Sequence, residues 1–257
     1  MHGRLLPVLL TLAAWAACAG CAARDTPPAA LPLLVGAPPS ERAAFEAAAA
    51  VYRRAQTEVS LVYGAADYLA TSGLPLDLVA VETQGAAEAF GPRVAERWQY
   101  ARDPLCLVVK KGSPAEALES RFSTLAESTA AVVVADSRGV QPTGRVTEAT
   151  LGRMGLRAKL NTRLIYAGPV SDVIARVEAK PGLLGIVRAT DLVGPTGAGV
   201  VTLDVVDEAP PSHVASLLAS PRQPQARRFL EAILSEEAQT VLRTAGLQSP
   251  LTRVPLQ

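Results

Sequence analysis

Leu33-Leu34-Val35-Gly36-Ala37-Pro38-Pro39-Ser40, running on through residues 41–56, decides how the rest of the chain is read. A short apolar run leaning to β-structure is broken by two prolines. A hydroxyl residue then opens an Ala-rich helical stretch with Phe45, Val51 and Tyr52 available for one buried face. This is one βα unit, and the pattern recurs. Strands are expected at 59–63, 78–81, 105–109, 131–135, 163–166, 184–187 and 200–203, and a further one from about His213 to Leu218. Helices are expected at 144–154, 171–180, 225–234 and 236–245, the second stopped by Pro181-Gly182 and the last by Gly246. Alternating elements of this kind predict an α/β fold with mostly parallel sheets flanked by helices.

The 257 residues are 49% hydrophobic, 19% charged and 4% aromatic, with 25 Lys+Arg against 24 Asp+Glu. That balance excludes the basic excess of a nucleic-acid binder and the low hydrophobicity of a disordered chain. Only two histidines occur, His2 and His213, so triad hydrolysis or a His-rich metal centre would rest on His213 alone. Among the cysteines, Cys18, Cys21 and Cys106, no second CxxC and no distant His partner appears, so no metal site is expected. Cys106 sits in an apolar strand and reads as a buried structural residue; His213 reads as a surface or hinge residue. Gly139 to Val146 has the glycine spacing of a phosphate loop, yet Arg145 and Val146 stand where Lys and Ser/Thr are required, which speaks against nucleotide hydrolysis.

Residues 1–20 combine a basic start at Arg4, an apolar run and small residues, the layout of a signal peptide. Ala19-Gly20-Cys21 resembles a bacterial lipoprotein box, with Cys18 where Leu is usual, so Cys21 is the expected lipidated residue; an ordinary signal peptide cut near Ala22 is the alternative. Residues 21–32 form a Pro/Ala-rich tether. Loss of residues 1–20 leaves 24 basic and 24 acidic side chains, so any anion preference must come from a local site.

Three loop-to-helix junctions share one character: Ser40 after Pro38-Pro39, Thr143-Gly144 after Pro142, and Val170-Ser171 after Gly168-Pro169. Each exposes unpartnered helix N–H groups and the positive end of a helix dipole, a seat for an anion, although Ser and Thr are also ordinary caps. In order and spacing these segments resemble the molybdate-binding periplasmic proteins of ABC importers. Residues 33–40 are similar to that family's opening strand and serine, Leu76-Asp77-Leu78-Val79-Ala80 to its Asp-containing strand, and Leu105-Cys106-Leu107-Val108-Val109 to its crossing strand. Ala135-Asp136-Ser137 with Pro142-Thr143-Gly144 resembles its Gly-Asp-Pro and Pro-Ala-Gly segment, Leu184-Gly185-Ile186-Val187 its Leu-Gly-Ile-Val strand, and residues 227–242 its closing helices.

The resemblance implies a two-lobed periplasmic-binding-protein-like fold of type II, with 33–104 plus 214–257 as a discontinuous first lobe and 105–213 as the second. From periodicity alone, a single doubly wound sheet remains an equal reading. It further implies no enzyme and no cofactor, but a monomeric receptor that closes on molybdate, tungstate or a related tetrahedral oxyanion and delivers it to an ABC permease and its ATPase. Carried over by position, the ligand residues are Ser40, Ala66, Thr143, Val170 and Arg188. Ala66 stands where Ser is usual and Arg188 where Tyr is usual, which shifts the site from neutral donors toward a charged fork. Asp67 and Ser171 are the possible selectivity residues. Asp67 with Arg188 would favour a protonated, phosphate-like anion, whereas pairing of the two with each other or exposure to solvent is the plainer alternative. Two rivals stand beside this reading: an enzyme on the same fold acting on a phosphate-bearing substrate, and a surface lipoprotein that binds no solute.

Overall fold

β1 (Leu33–Ala37) and β2 (Val59–Tyr63) lie parallel, Val35 opposite Leu61, with the connecting helix α1 (Arg42–Arg53) between them in sequence. The helix buries Ala44, Phe45, Ala48, Ala49 and Tyr52, a stripe at the spacing of a helix packed on one side. In this computed structural model the described residues are 31–54, 58–117, 121–138, 142–207, 212–252 and 254–256. The lipidation candidate Cys21 and most of the tether lie outside them. No described helix is long and apolar enough to cross a membrane.

Two mixed five-stranded sheets carry the fold. The first has the order β2-β1-β3-β10-β4, with β3 (Leu78–Thr83) parallel to β1, and β10 (Ser212–Leu218) antiparallel to both β3 and β4 (Val94–Gln99). The second has the order β7-β6-β8-β5-β9, built from β5 (Leu105–Lys110), β6 (Val132–Ala135), β7 (Leu164–Ala167), β8 (Leu184–Arg188) and β9 (Val200–Val206). Here β6 runs parallel to β7 and β8, whereas β5 is antiparallel to β8 and β9. The remaining helices are α2 (Ala66–Thr71), α3 (Gln84–Ala87), α4 (Pro142–Arg153), α5 (Arg157–Leu160), α6 (Val170–Ala179), α7 (Gln223–Ile233) and α8 (Glu236–Thr244).

Burial explains the sequence pattern. On β5 the odd residues Leu105, Leu107 and Val109 pack into one core with Val146 and Leu151 of α4; Cys106 and Val108 pack into another with Val173, Ile174 and Val177 of α6. A strand covered on both faces reads as an unbroken apolar run. In the first sheet, Phe45, Tyr52 and Phe229 interlock, the ring centres of Tyr52 and Phe229 lying 5.4 Å apart. Asp77 is buried at the start of β3, where it accepts the Leu34 N–H (2.9 Å) and pairs with Arg222 (3.0 Å), fixing β3 against β1 and the entry to α7.

The chain passes from the first sheet to the second between β4 and β5 and returns between β9 and β10. Arg102 clamps these crossings: its backbone exchanges two 2.8 Å hydrogen bonds with Gln248, and its guanidinium reaches Ser249 O, Gln248 Oε1 and Asp207. Ser212 and His213, placed in the second lobe by the sequence reading, belong to the first sheet, since Ser212 pairs with Thr83 and Val214 with Val81. The strand starts earlier than its apolar pattern because both polar residues are buried at the crossing.

Candidate functional site

Parallel strands aim their carboxyl ends at one edge of a sheet, and in open α/β sheets that edge is where ligands sit. Ser40 follows β1, Ala66 follows β2, Thr143 follows β6, Val170 follows β7, and Arg188 ends β8. All five resemblance-derived positions therefore lie at carboxyl ends, two on the first sheet and three on the second.

On the first sheet, Pro39–Glu41 form a single 3-10 turn, and the exposed Ser40 hydroxyl donates to Glu82 Oε1 on β3 at 2.6 Å. Ala66 opens α2, whose N-cap Ala65 gives no side-chain bond, and Asp67 stands exposed in the first turn. On the second sheet, Gly144 presses its backbone against the end of β6; a Cβ there would lie 2.4 Å from Asp136 O. Only glycine permits that approach, and it seats the first turn of α4 with Thr143 buried. The Thr143 hydroxyl donates to Asp191 Oδ2 at 3.0 Å. At α6, Pro169 supplies no side-chain cap, Val170 is buried and Ser171 is exposed.

Arg188, the anion ligand implied by the resemblance, has a partner of its own at the crossing. Its side chain is buried, with Nε 2.9 Å from Asp103 Oδ2 and Nη2 3.5 Å from His213 Nε2. Asp103 also accepts the Thr190 N–H (3.1 Å) and hydroxyl (2.6 Å). The guanidinium is thus neutralised by Asp103 and is not paired with Asp67, because the crossing between β4 and β5 delivers a carboxylate to the end of β8.

At His213 the chain of contacts enters the first sheet. His213 Nδ1 lies 2.8 Å from Glu41 Oε1, and the Tyr100 hydroxyl donates to Glu41 Oε2 at 2.6 Å. Tyr100, Glu41, His213, Arg188 and Asp103 are all buried, so a continuous polar chain spans the two sheets beside the crossings. His213 holds a left-handed backbone, φ 53°, a strained conformation for a residue other than glycine. Burial opposes a charge on its ring, but the hydrogen bond and charge of Glu41 outweigh that and hold it above the ordinary histidine range. Burial and the nearby Glu41 push the Tyr100 phenol well up.

Asp191 is the site residue that the sequence reading missed. Its Oδ2 accepts both the Thr143 hydroxyl and the Arg188 backbone N–H (2.9 Å). It stands three residues past the end of β8 and bonds back to that residue's N–H, half of a capping box, and this spacing was visible in the sequence. Burial raises its carboxyl above the ordinary range, against the opposing pull of those two donors. A cavity of about 280 Å³ opens between the two sheets nearby, lined by Thr83, Gly85 and Ser212 on one side and Pro142, Arg145, Val146 and Ala149 of α4 on the other. Among the described residues no group of three or more His, Cys, Asp or Glu is placed to hold a metal ion.

The substrate-binding domain assigned to a molybdenum ABC transporter of Clostridium difficile is 20% identical, covering 86% of this chain and all of that one, with a TM-score of 0.63. A Trichodesmium protein (IdiA, FutA) in complex with iron and citrate is 14% identical over 86% of each chain, with a TM-score of 0.64. The sulfate-binding protein SubI of Mycobacterium tuberculosis is 14% identical over 86% of this chain and 87% of its own, with a TM-score of 0.50. At these identities the likeness establishes the two-lobed fold and leaves the solute open. No curated protein matches the chain in sequence. The sequence profile of one family, described as bacterial extracellular solute-binding proteins, covers residues 33–248. The chain belongs to the bacterial extracellular solute-binding protein family.

Proposed function

We propose that this chain is the solute receptor of an ABC importer, tethered outside the cytoplasm through lipidated Cys21, and that it captures a tetrahedral oxyanion between its lobes as a monomer. One observation carries the reading: the turns after β1, β2, β6 and β7 bring Ser40, Ala66, Thr143 and Val170 to the carboxyl ends of both sheets, where α4 and α6 open. Backbone N–H groups at such helix starts favour negative charge without any metal. Molybdate and tungstate are the solutes implied by the sequence resemblance, and molybdenum is named for the Clostridium domain. A second reading, a proton-bearing anion of the phosphate type, is favoured by the two carboxylates Glu82 and Asp191 on the Ser40 and Thr143 hydroxyls.

Closure of the lobes around the anion would present a surface to a membrane permease, whose ATPase supplies the energy. The test is a thermal-unfolding panel with molybdate, tungstate, sulfate and phosphate. A solute at about a hundred times its dissociation constant stabilises the native state by roughly 2.7 kcal/mol. A shift with any of these anions supports the receptor reading, and silence across the panel refutes it in favour of a lipoprotein without an oxyanion solute.

A further inference from the structure

We infer that the cavity between the sheets takes an organic ester of a tetrahedral oxyanion, a phosphate monoester with a small alkyl body, in preference to the bare inorganic anion. Arg145, Thr83 and Ser212 hold the charged head, and Pro142, Val146 and Ala149 receive the body. The inference rests on the oxyanion-receptor reading above and names the class of solute within it.

The first sheet supplies one side of the head site. Thr83 and Ser212 stand opposite each other where β3 and β10 pair antiparallel, and both line the cavity. Side chains placed directly opposite share one face of a sheet. A hydroxyl owns one proton. Ser40 and Thr143 spend theirs on Glu82 and Asp191, but the Thr83 hydroxyl accepts the Ala86 N–H at 3.1 Å and gives its own proton to no described residue. The Ser212 hydroxyl, on a residue only 2% exposed, has no hydrogen-bond partner among the described residues. A buried hydroxyl without a partner costs stability, and a solute in the adjoining cavity is a partner that restores it. From the second sheet's side comes Arg145, in the first turn of α4, a cation paired with no described residue. Its planar fork suits two oxygens of a phosphoryl group, and the hydroxyls suit the third. A monoester has three such oxygens, the fourth carrying carbon.

The rest of the lining is aliphatic. Pro142, Val146 and Ala149 follow one another at helical spacing along one face of α4, and opposite them Gly85 adds no side chain, with open space where a Cβ would stand. The cavity measures about 280 Å³. Even at a whole water's share of about 30 Å³ for each oxygen, the four oxygens of a bare oxyanion fill less than half of that. An inorganic anion gains nothing from the aliphatic remainder, whereas an alkyl group buried there gains about fourfold in affinity for each methylene.

The experiment is calorimetric titration of the purified protein with inorganic phosphate, sulfate and molybdate and with methyl, ethyl and n-propyl phosphate, repeated on Arg145→Gln and Ala149→Leu. Both positions are exposed, so the unliganded variants should keep the Tm of the unmodified protein. Affinity should rise about fourfold with each added carbon, leaving n-propyl phosphate at least tenfold tighter than any of the inorganic anions. Arg145→Gln should weaken phosphate and its esters alike by at least tenfold. Ala149→Leu, which fills the apolar half, should weaken n-propyl phosphate at least tenfold and leave inorganic phosphate within twofold. An inorganic anion binding as tightly as n-propyl phosphate would overturn the inference while leaving the receptor reading intact. So would ester binding that neither substitution weakens. Failure of every anion, inorganic and ester, to bind would overturn the receptor reading itself.

Discussion

Replacing Arg188 with Met separates two roles that one residue cannot fill at once. Arg188 is 5% exposed and its partner Asp103 1% exposed, so the substitution leaves a carboxylate buried at the crossing without its cation. Removing one partner of a buried ion pair typically costs about 3–5 kcal/mol. Asp103 keeps its two hydrogen bonds from Thr190, which places the expected loss near the lower end, about 3 kcal/mol. For a folded unit of this size that corresponds to a fall in Tm of roughly 6–12 °C. Urea unfolding gives the free energy directly, and an unchanged m-value would show that the folded and unfolded states keep their compactness. The exposed pair Arg54–Glu237, with side chains 68% and 53% accessible, supplies the contrast: Arg54→Ala should leave the urea midpoint almost unchanged. The double substitution Arg188→Met with Asp103→Leu should recover much of the loss, because no charge is then left buried. A loss under about 1 kcal/mol for Arg188→Met would refute the structural role. If Arg188 were instead the anion ligand implied by its position, the substitution would abolish anion-induced stabilisation and spare the unliganded protein.

Three further expectations follow from named contacts. Gly144→Ala drives a methyl into the backbone of Asp136 and Ser137 and should cost about 1–3 kcal/mol, whereas Gly152→Ala, later in α4 with open space around it, should stabilise by up to about 1 kcal/mol; urea unfolding of the two variants gives the comparison. His213 titrates above its ordinary value in the folded state, so its contribution is complete below about pH 6.5 and is lost as pH rises through the raised value. Stability measured from about pH 6 to 9 should therefore fall less steeply for His213→Gln, and parallel curves would contradict the Glu41 contact as its cause. Burial pushes the Cys106 thiol up to about 11, so iodoacetamide at neutral pH should leave Cys106 unmodified in the native protein and label it in urea, as read by peptide mass.

The strands that were legible in the sequence are those whose burial is two-sided. β5 and β8 are apolar at almost every position because helices cover both faces of their sheet, and runs of that kind are read without knowing the partners. β4 was not read, since Val-Ala-Glu-Arg-Trp-Gln is a half-buried edge strand whose charges blunt the edge and hide the pattern. α2 escaped because six residues carry too little periodicity to register. The site divides along the same line. Ser40, Thr143 and Val170 stand at strand-to-helix junctions that local reading recognises, whereas Ala66 was reached only through the family resemblance, because the short helix it opens leaves no local signal.

What local reading could not supply was the destination of each proton and charge. Glu41 meets His213 across 172 residues, and Arg188 meets Asp103 only because the chain crosses between sheets just before β5. A motif carries over the donors of a site, but selectivity depends on the acceptors those donors already serve, and these are set by tertiary contacts. Ser40 and Thr143 match a family of oxyanion binders in position, yet both hydroxyls are turned toward carboxylates of this chain's own, Glu82 and Asp191. The hydroxyls that a family motif would count as donors are therefore already engaged within this chain.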